Sequence, residues 1–213
     1  MKYAKHIGFA SKDEYEYFQP DVNAHLVSNT IKTIDPDFLF LQEFWNPSDA
    51  DTIEQLKEYP YRQFLDMWYR KSGACIASKK PFSIEIIDGF SIVHYENLNI
   101  IPIHLNSFSP LKRLEETTIL NKISKSLSEK TIILGDTNIW SRKNFYLFSK
   151  DIQSYAKLCK SYSDVSAPII ATNFLGFKLD KVFTSKDIII EKIESPRIRG
   201  DYMDHYPIFF DIQ

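Results

Sequence analysis

Cysteine is scarce in this 213-residue chain, with two residues, Cys75 and Cys159. That is too few for a disulfide framework, so both thiols read as buried side chains in a reduced setting. Glycine is also scarce, at six residues, which excludes a glycine-rich low-complexity segment and a collagen-like repeat. Neither sign of charge dominates: 26 Lys and Arg stand against 28 Asp and Glu, a net of -2. Bulk positive charge therefore does not recruit a polyanion, and any phosphate recognition must be local. No apolar run approaches membrane-spanning length. The opening Met1-Lys2-Tyr3-Ala4-Lys5-His6 lacks the apolar stretch of a secretory leader. The expectation is a soluble, cytoplasmic protein with no stable membrane association.

What the chain does have is bulk. Hydrophobic residues make up 44% and aromatics 15%, led by 16 Phe and 12 Tyr. A chain of this size buries roughly 70% of its unfolded surface, enough for a full core. No repeat, linker or composition shift interrupts it, so a single α/β domain over residues 1–213 is expected.

The periodicities alternate between helix and strand. Asp21 can cap a helix carrying Val22, Leu26, Ile31 and Ile34 near one face, ended by Pro36. Residues 38–41 form an apolar run of strand length, buried on both faces. A second helix is expected from Ser48 through Ile53 and Leu56. Strand-like pieces follow at 61–65, 74–78, 82–87 and 98–104, with Pro102 inside the last, where proline is disfavoured. Ser109-Pro110 starts a helix, with Ser at the cap and Pro in the first turn, that continues through Leu120, Ile123 and Leu127. Residues 131–134 read as a buried strand that stops at Gly135-Asp136. A helix is expected at 143–149, and three strands near 179–183, 188–193 and 206–212.

Polar residues of catalytic type fall repeatedly at the ends of these apolar strands, where α/β sheets bind ligands. Glu43 offers oxygen donors to a hard cation. His104 can donate to a phosphoryl oxygen or act as a general acid. In Gly135-Asp136-Thr137-Asn138, glycine permits a sharp turn, Asp136 supplies a base or metal ligand, and Asn138 supplies an amide donor. Asp180 sits within a strand-like run and needs a partner, which a histidine would provide. Asp204 and His205 point in different directions in extended chain, one toward a metal and the other toward substrate. Each has an ordinary reading when taken alone: a solvated strand terminus, a satisfied histidine, a polar turn, an outward-facing acid, a polar loop pair.

Their order carries more. Gln42-Glu43, His104-Leu105, Gly135-Asp136-Thr137-Asn138, Leu179-Asp180-Lys181-Val182-Phe183 and Met203-Asp204-His205-Tyr206-Pro207 in succession resemble the endonuclease/exonuclease/phosphatase superfamily. That superfamily includes pancreatic deoxyribonuclease, abasic-site endonucleases, neutral sphingomyelinases, inositol polyphosphate phosphatases and deadenylases. The resemblance runs from about Asp37 to the last residue. Ser72-Gly73-Ala74-Cys75-Ile76-Ala77-Ser78-Lys79 is similar to the glycine-containing strand of the family. Asn138-Ile139-Trp140-Ser141-Arg142, with Gly176-Phe177-Lys178-Leu179-Asp180, is most similar to a poorly characterised bacterial branch.

The resemblance implies a deoxyribonuclease-like α/β fold: a four-layer α/β/β/α sandwich of two packed mixed sheets flanked by helices. It implies Glu43 as the main metal ligand and Asp204 near the metal, with Mg²⁺ or Mn²⁺ as cofactor. It assigns Asp136 and Asn138 to the attacking water, Asp180 to His205, and His104 to the phosphate. Where the family's first strand usually ends in Asn, this chain has His6, which can bind metal but suits a hard Mg²⁺ poorly.

The implied activity is metal-dependent phosphodiester hydrolysis, on DNA first, as an endonuclease or exonuclease acting as a monomer. Arg113 and Arg142 would grip phosphates, and Trp140 would stack on a base. Two alternatives stay open. One is a phosphatase or phosphodiesterase on a small-molecule or lipid phosphate, for which the aromatic run at 144–148 would be an exposed apolar loop rather than a core helix. The other, motivated by His6, is a catalytically degenerate binding protein on the same fold.

Overall fold

The structure is a computed structural model, and it describes residues 20–44, 53–66, 73–127, 130–142, 145–197 and 205–213. These fall into two compact units, one drawn from Met1–Pro81 and the other from Phe82–Arg197 with His205–Gln213.

In the first unit, helix α1 spans Pro20–Ile34, starting one residue before the Asp21 expected to cap it. Its buried stripe is Ala24, Val27 and Ile31, at helical spacing. Asp35 takes a left-handed φ of 49° while its N–H still bonds the Ile31 carbonyl at 2.7 Å. Pro36 then cannot continue the helix. Strands β1 (Phe38–Phe44), β2 (Tyr61–Asp66) and β3 (Gly73–Ser78) form an antiparallel sheet in the order β1-β3-β2. The central strand β3 is buried throughout. Cys75 and Ala77 pack on α1 side chains and on Ile53, Leu56 and Tyr59. Leu56 belongs to a short 3-10 helix, Glu54–Glu58, rather than to the longer helix expected from Ser48; residues 45–52 lie outside the described residues.

The second unit is built on a seven-stranded mixed sheet. Its strands are β4 (Phe82–Ile87), β5 (Phe90–Tyr95), β6 (Leu98–His104), β7 (Lys130–Arg142), β8 (Phe145–Tyr146), β9 (Ser163–Asp164) and β10 (Lys178–Thr184). The order is β4-β5-β6-β7-β10-β9, with β8 paired to β7. Strands β6 and β7 are parallel, joined by helix α2 (Pro110–Ser126). Ser109 caps α2 by accepting the Lys112 N–H at 3.3 Å. Helix α3 spans Ser149–Cys159. A two-stranded ribbon, β11 (Ile190–Glu194) with β12 (Phe209–Ile212), completes the described elements.

Alternation along the central strands supplies both faces of this sheet. Ile133 and Phe183 pack with Ile101, Ile103, Leu120, Ile123 and Leu158 under the helices. Their neighbours Ile132 and Val182 pack on the opposite face with Ile188, Ile193 and Phe210. Pro102 is accommodated because the β5–β6 ladder ends at Val93 and Ile100, so Pro102 pairs with Leu134 of β7 and owes β5 no hydrogen bond.

In the second unit, three further expectations need correction. Strand β5 was not anticipated, although Asp88-Gly89, with φ of 47° and 83°, is a two-residue hairpin signal. Strand β7 does not stop at Gly135-Asp136: Gly135 takes φ 131°, open to glycine, and the strand runs on to Arg142, interrupted by Asn138 at φ 49°. The helix expected at 143–149 is instead β8, which folds back on Ser141 and Arg142, followed by α3 from Ser149.

Candidate active site

Register brings the sequence candidates of the second unit together. In the parallel pair β6–β7, His104 is the partner of Asp136. In the antiparallel pair β7–β10, Asp136 is the partner of Asp180. Directly opposed residues share a sheet face, so His104, Asp136 and Asp180 form one row across three adjacent strands. His104 Nε2 lies 3.6 Å from Asp136 Oδ2, and the two side chains are 6% and 7% exposed.

Asn138 closes on Asp136 from the same strand. Its backbone N–H donates to Asp136 Oδ1 at 2.7 Å and its Nδ2 to Oδ2 at 3.0 Å. Nδ2 also donates to the Leu105 carbonyl at 2.9 Å, while Leu105 N–H donates to the Asp136 carbonyl at 2.9 Å. The β6 exit and the Asp136–Asn138 turn are thereby tied together. Asn138 sits at φ 49°, a conformation that asparagine tolerates better than most residues.

At the other end of the row, Asp180 Oδ2 is 2.6 Å from His205 Nδ1. An Nδ1–H donated to Asp180 leaves Nε2 as the atom that exchanges a proton. The segment before β10 holds this pair in place. Thr172 Oγ1 accepts the N–H groups of Leu179 and Asp180 at 2.9 and 3.0 Å. The Thr172 carbonyl accepts the Tyr206 N–H at 2.7 Å, and Asn173 bridges His205.

The other candidates fare differently. Arg113 was expected to bind substrate, and the structure removes it from that set. It is fully buried, with Nε and Nη2 on the two carboxylate oxygens of Asp151 at 2.8 and 3.0 Å and Nη1 on the Asn106 carbonyl at 2.9 Å. Its fork is committed to joining α2, α3 and the loop after β6. Trp140 is half-buried, edge-on to Phe177 with ring centroids 5.1 Å apart. Glu43 lies in β1 and Arg142 ends β7, but their side chains are outside the described residues, as are His6 and Asp204 altogether. Among the described residues no group of three or more His, Cys, Asp or Glu is placed to hold a metal ion.

Sequence reasoning missed one feature and raised part of a second, the run at 144–148, only as an alternative. Lys181 is fully buried, and its Nζ donates to the carbonyls of Lys178 and Ile139 at 2.7 and 3.1 Å and to Thr137 Oγ1 at 3.3 Å. Burial pushes its pKa down to about 7, helped by Lys178 and opposed by Asp164, Asp180 and Asp136. The signal was present: Lys181 shares the parity of Leu179 and Phe183, both buried. The second feature is an apolar rim. Phe108, Leu111, Phe145, Leu147, Phe174 and Leu175 are all exposed. They lie on the β6 exit and the start of α2, around β8, and on the approach to β10. No helix among the described residues is long and apolar enough to cross a membrane.

A family model described as Endonuclease/Exonuclease/phosphatase family matches residues 19–207. No curated protein matches the sequence. Among solved structures, the chain is similar to an AP endonuclease from Archaeoglobus fulgidus, at 18% identity and TM-score 0.72, covering 88% of this chain and 94% of that one. It is similar to a 3′ phosphatase from Neisseria bound to a product DNA hairpin, at 15% identity and TM-score 0.74, covering 90% and 95%. It is also similar to a mannosyl-6-phosphatase from Bacteroides thetaiotaomicron, at 12% identity and TM-score 0.68, covering 96% and 95%. At such identities the likeness shows the fold alone, and it is the deoxyribonuclease-like α/β fold expected from the sequence.

Proposed function

The chain belongs to the endonuclease/exonuclease/phosphatase family, and from that premise we propose that it hydrolyses phosphodiester bonds, with DNA as substrate. The observation that carries this reading is the row His104–Asp136–Asp180, extended by Asn138 on one side and His205 on the other. It sets two imidazoles and two carboxylates at one end of a rigid sheet.

Asp136 and Asn138 orient a water for in-line attack on phosphorus, and Asp136 accepts its proton as the new O–P bond forms and the ester P–O bond breaks. The leaving oxygen departs as an alkoxide that takes a proton from solvent to become the alcohol product. His205, held by Asp180 through Nδ1, presents Nε2–H to the negative charge that develops on phosphorus-bound oxygen. His104 makes a second such contact. Trp140 and Arg142 remain the proposed substrate contacts on β7. A divalent cation, Mg²⁺ or Mn²⁺, would be held by the carboxylates of Glu43 and Asp204, whose oxygens suit a hard ion, with His6 a third candidate ligand; bound there it would act as a Lewis acid on the phosphate.

The test is nicking of supercoiled plasmid with Mg²⁺ or Mn²⁺, with chelator and Asp136→Ala as controls. Nicking abolished by both controls is the expected result. No nicking with either metal would overturn the DNA reading. The exposed rim favours one second reading, a phosphoester whose alcohol is apolar. Hydrolysis of phospholipid vesicles without plasmid nicking would favour it.

A further inference from the structure

Between Asp136 and Ser141, strand β7 takes five residue steps where β10 takes two, from Asp180 to Lys178. The surplus residues of β7 form a wide bulge, and they include Thr137, Asn138 and Ile139. A bulge leaves backbone groups without ladder partners, and buried ones need replacements. Lys181 supplies them. Its Nζ reaches the Ile139 carbonyl on the bulged strand at 3.1 Å, Thr137 Oγ1 at 3.3 Å, and the Lys178 carbonyl on the opposite strand at 2.7 Å. The first two flank Asn138, the residue held at φ 49°. Thr137 Oγ1 in turn donates to the Leu179 carbonyl at 2.6 Å.

A lysine is an expensive way to fill an apolar position, since its amine must be desolvated. Methionine would fill the same volume without that cost but would take the Nζ donor from the Ile139 carbonyl, while the Lys178 carbonyl would keep Ser141 Oγ at 3.1 Å. We propose that Lys181 is a positioning residue: it clasps the β7 bulge from inside the sheet and so fixes where Asn138 and Asp136 stand. Asp136 holds the turn from the site side and Lys181 holds it from the core side. The inference rests on the phosphodiesterase reading for its kinetic consequence, but its structural content does not depend on that reading.

The test is Lys181→Met, read in two ways. In plasmid or bis(p-nitrophenyl) phosphate hydrolysis, kcat should fall at least tenfold while KM stays within about threefold, because the turn and not substrate binding is displaced. By NMR, the Asn138 side-chain amide and the Ile139 backbone amide should shift or broaden, with amides of the first unit unchanged. Thr137→Val, which removes one acceptor and keeps the lysine, should move both readouts in the same direction by a smaller amount, and it carries the test if Lys181→Met does not fold. A folded variant with kcat within twofold of the parent, or with unshifted Asn138 and Ile139 amides, would overturn the proposal. Should the parent protein itself hydrolyse no phosphodiester, the functional reading fails, while the amide shifts still decide the role of Lys181.

Discussion

Among the described residues of the first unit, Ser78 is the sole buried polar side chain, whereas the second unit buries Arg113, Glu116, Asp136, Asp151, Lys178 and Lys181. Both units are sheets covered by helices, so architecture does not explain the difference. The first is held by volume: Ile53 and Leu56 are fully buried against Cys75 and Ala77 of β3, and Ile76 is fully buried within that strand. The second is held by volume and by partnered charge. Arg113, Asp136, Asp151, Lys178 and Lys181 each have a named counterpart or a set of hydrogen bonds, as buried charge requires. Glu116, by contrast, accepts the Asn106 N–H through Oε2 alone and leaves Oε1 without a partner among the described residues. The first unit should therefore fail when atoms are removed, and the second when a partner is removed.

The largest effect should come from the row itself. Asp136→Ala and His205→Ala should each lower turnover by about 10²–10⁴ while the fold survives, because general acid–base and electrostatic contributions are of that size. Near-parental turnover in a folded variant would remove these residues from the proposed roles.

Next in size is the contrast between the units. Arg113→Met strands the buried Asp151 carboxylate and should cost about 3–5 kcal/mol in urea unfolding. Leu56→Ala, in the apolar unit, should cost about 2–5 kcal/mol, the range for a fully buried leucine whose site relaxes only in part. If either variant cost less than about 1 kcal/mol, the contrast would break.

The smallest effect is a pH dependence set by two buried groups of the second unit. Burial raises the Glu116 pKa from 4.5 to about 7. The folded chain then binds a proton that the unfolded chain releases, so stability falls as pH rises from about 4.5 to about 7. Glu116→Gln should flatten that slope, by about 1–3 kcal/mol across the window. Lys181 acts oppositely: with its pKa lowered from 10.5 to about 7, the unfolded chain holds the extra proton. Stability therefore climbs between those values, and Lys181→Met should lose the climb. Urea titrations at stepped pH read both slopes, and a parent protein with a flat profile would contradict both.

Much of the fold was legible in the sequence because its cues are local. Ser109-Pro110 starts α2 where expected, and 82–87 and 98–104 are strands at the expected bounds. The errors came where local cues were overlooked or conflict with long-range pairing. The aromatic run at 145–148 favours extended chain by residue type, a cue the expected helix overlooked, and pairing with Ser141 and Arg142 holds its first two residues in a strand. Residues 135–138 read as a turn that ends a strand, yet pairing with β10 carries β7 past them. At the site, the residue types at strand ends marked His104, Asp136, Asn138, Asp180 and His205. Arg113 was misjudged because a charged helix residue beside a motif looks exposed until its acceptor, 38 positions away, is known.

The sequence by itself marked most of the strands, though not β5, and the chemical groups at their ends, since both depend on residue type and spacing of two to four positions. It did not mark how deeply each strand is buried, for residues 38–41 are half-buried rather than buried on both faces. The tertiary structure alone decided that His104, Asp136 and Asp180 share a row, that Arg113 faces Asp151, and that Lys181 lies beneath the Asn138 bulge. Those outcomes depend on strand register and helix docking between segments far apart in the chain. No local periodicity encodes which residue meets which; the fit of the two faces of the sheet does.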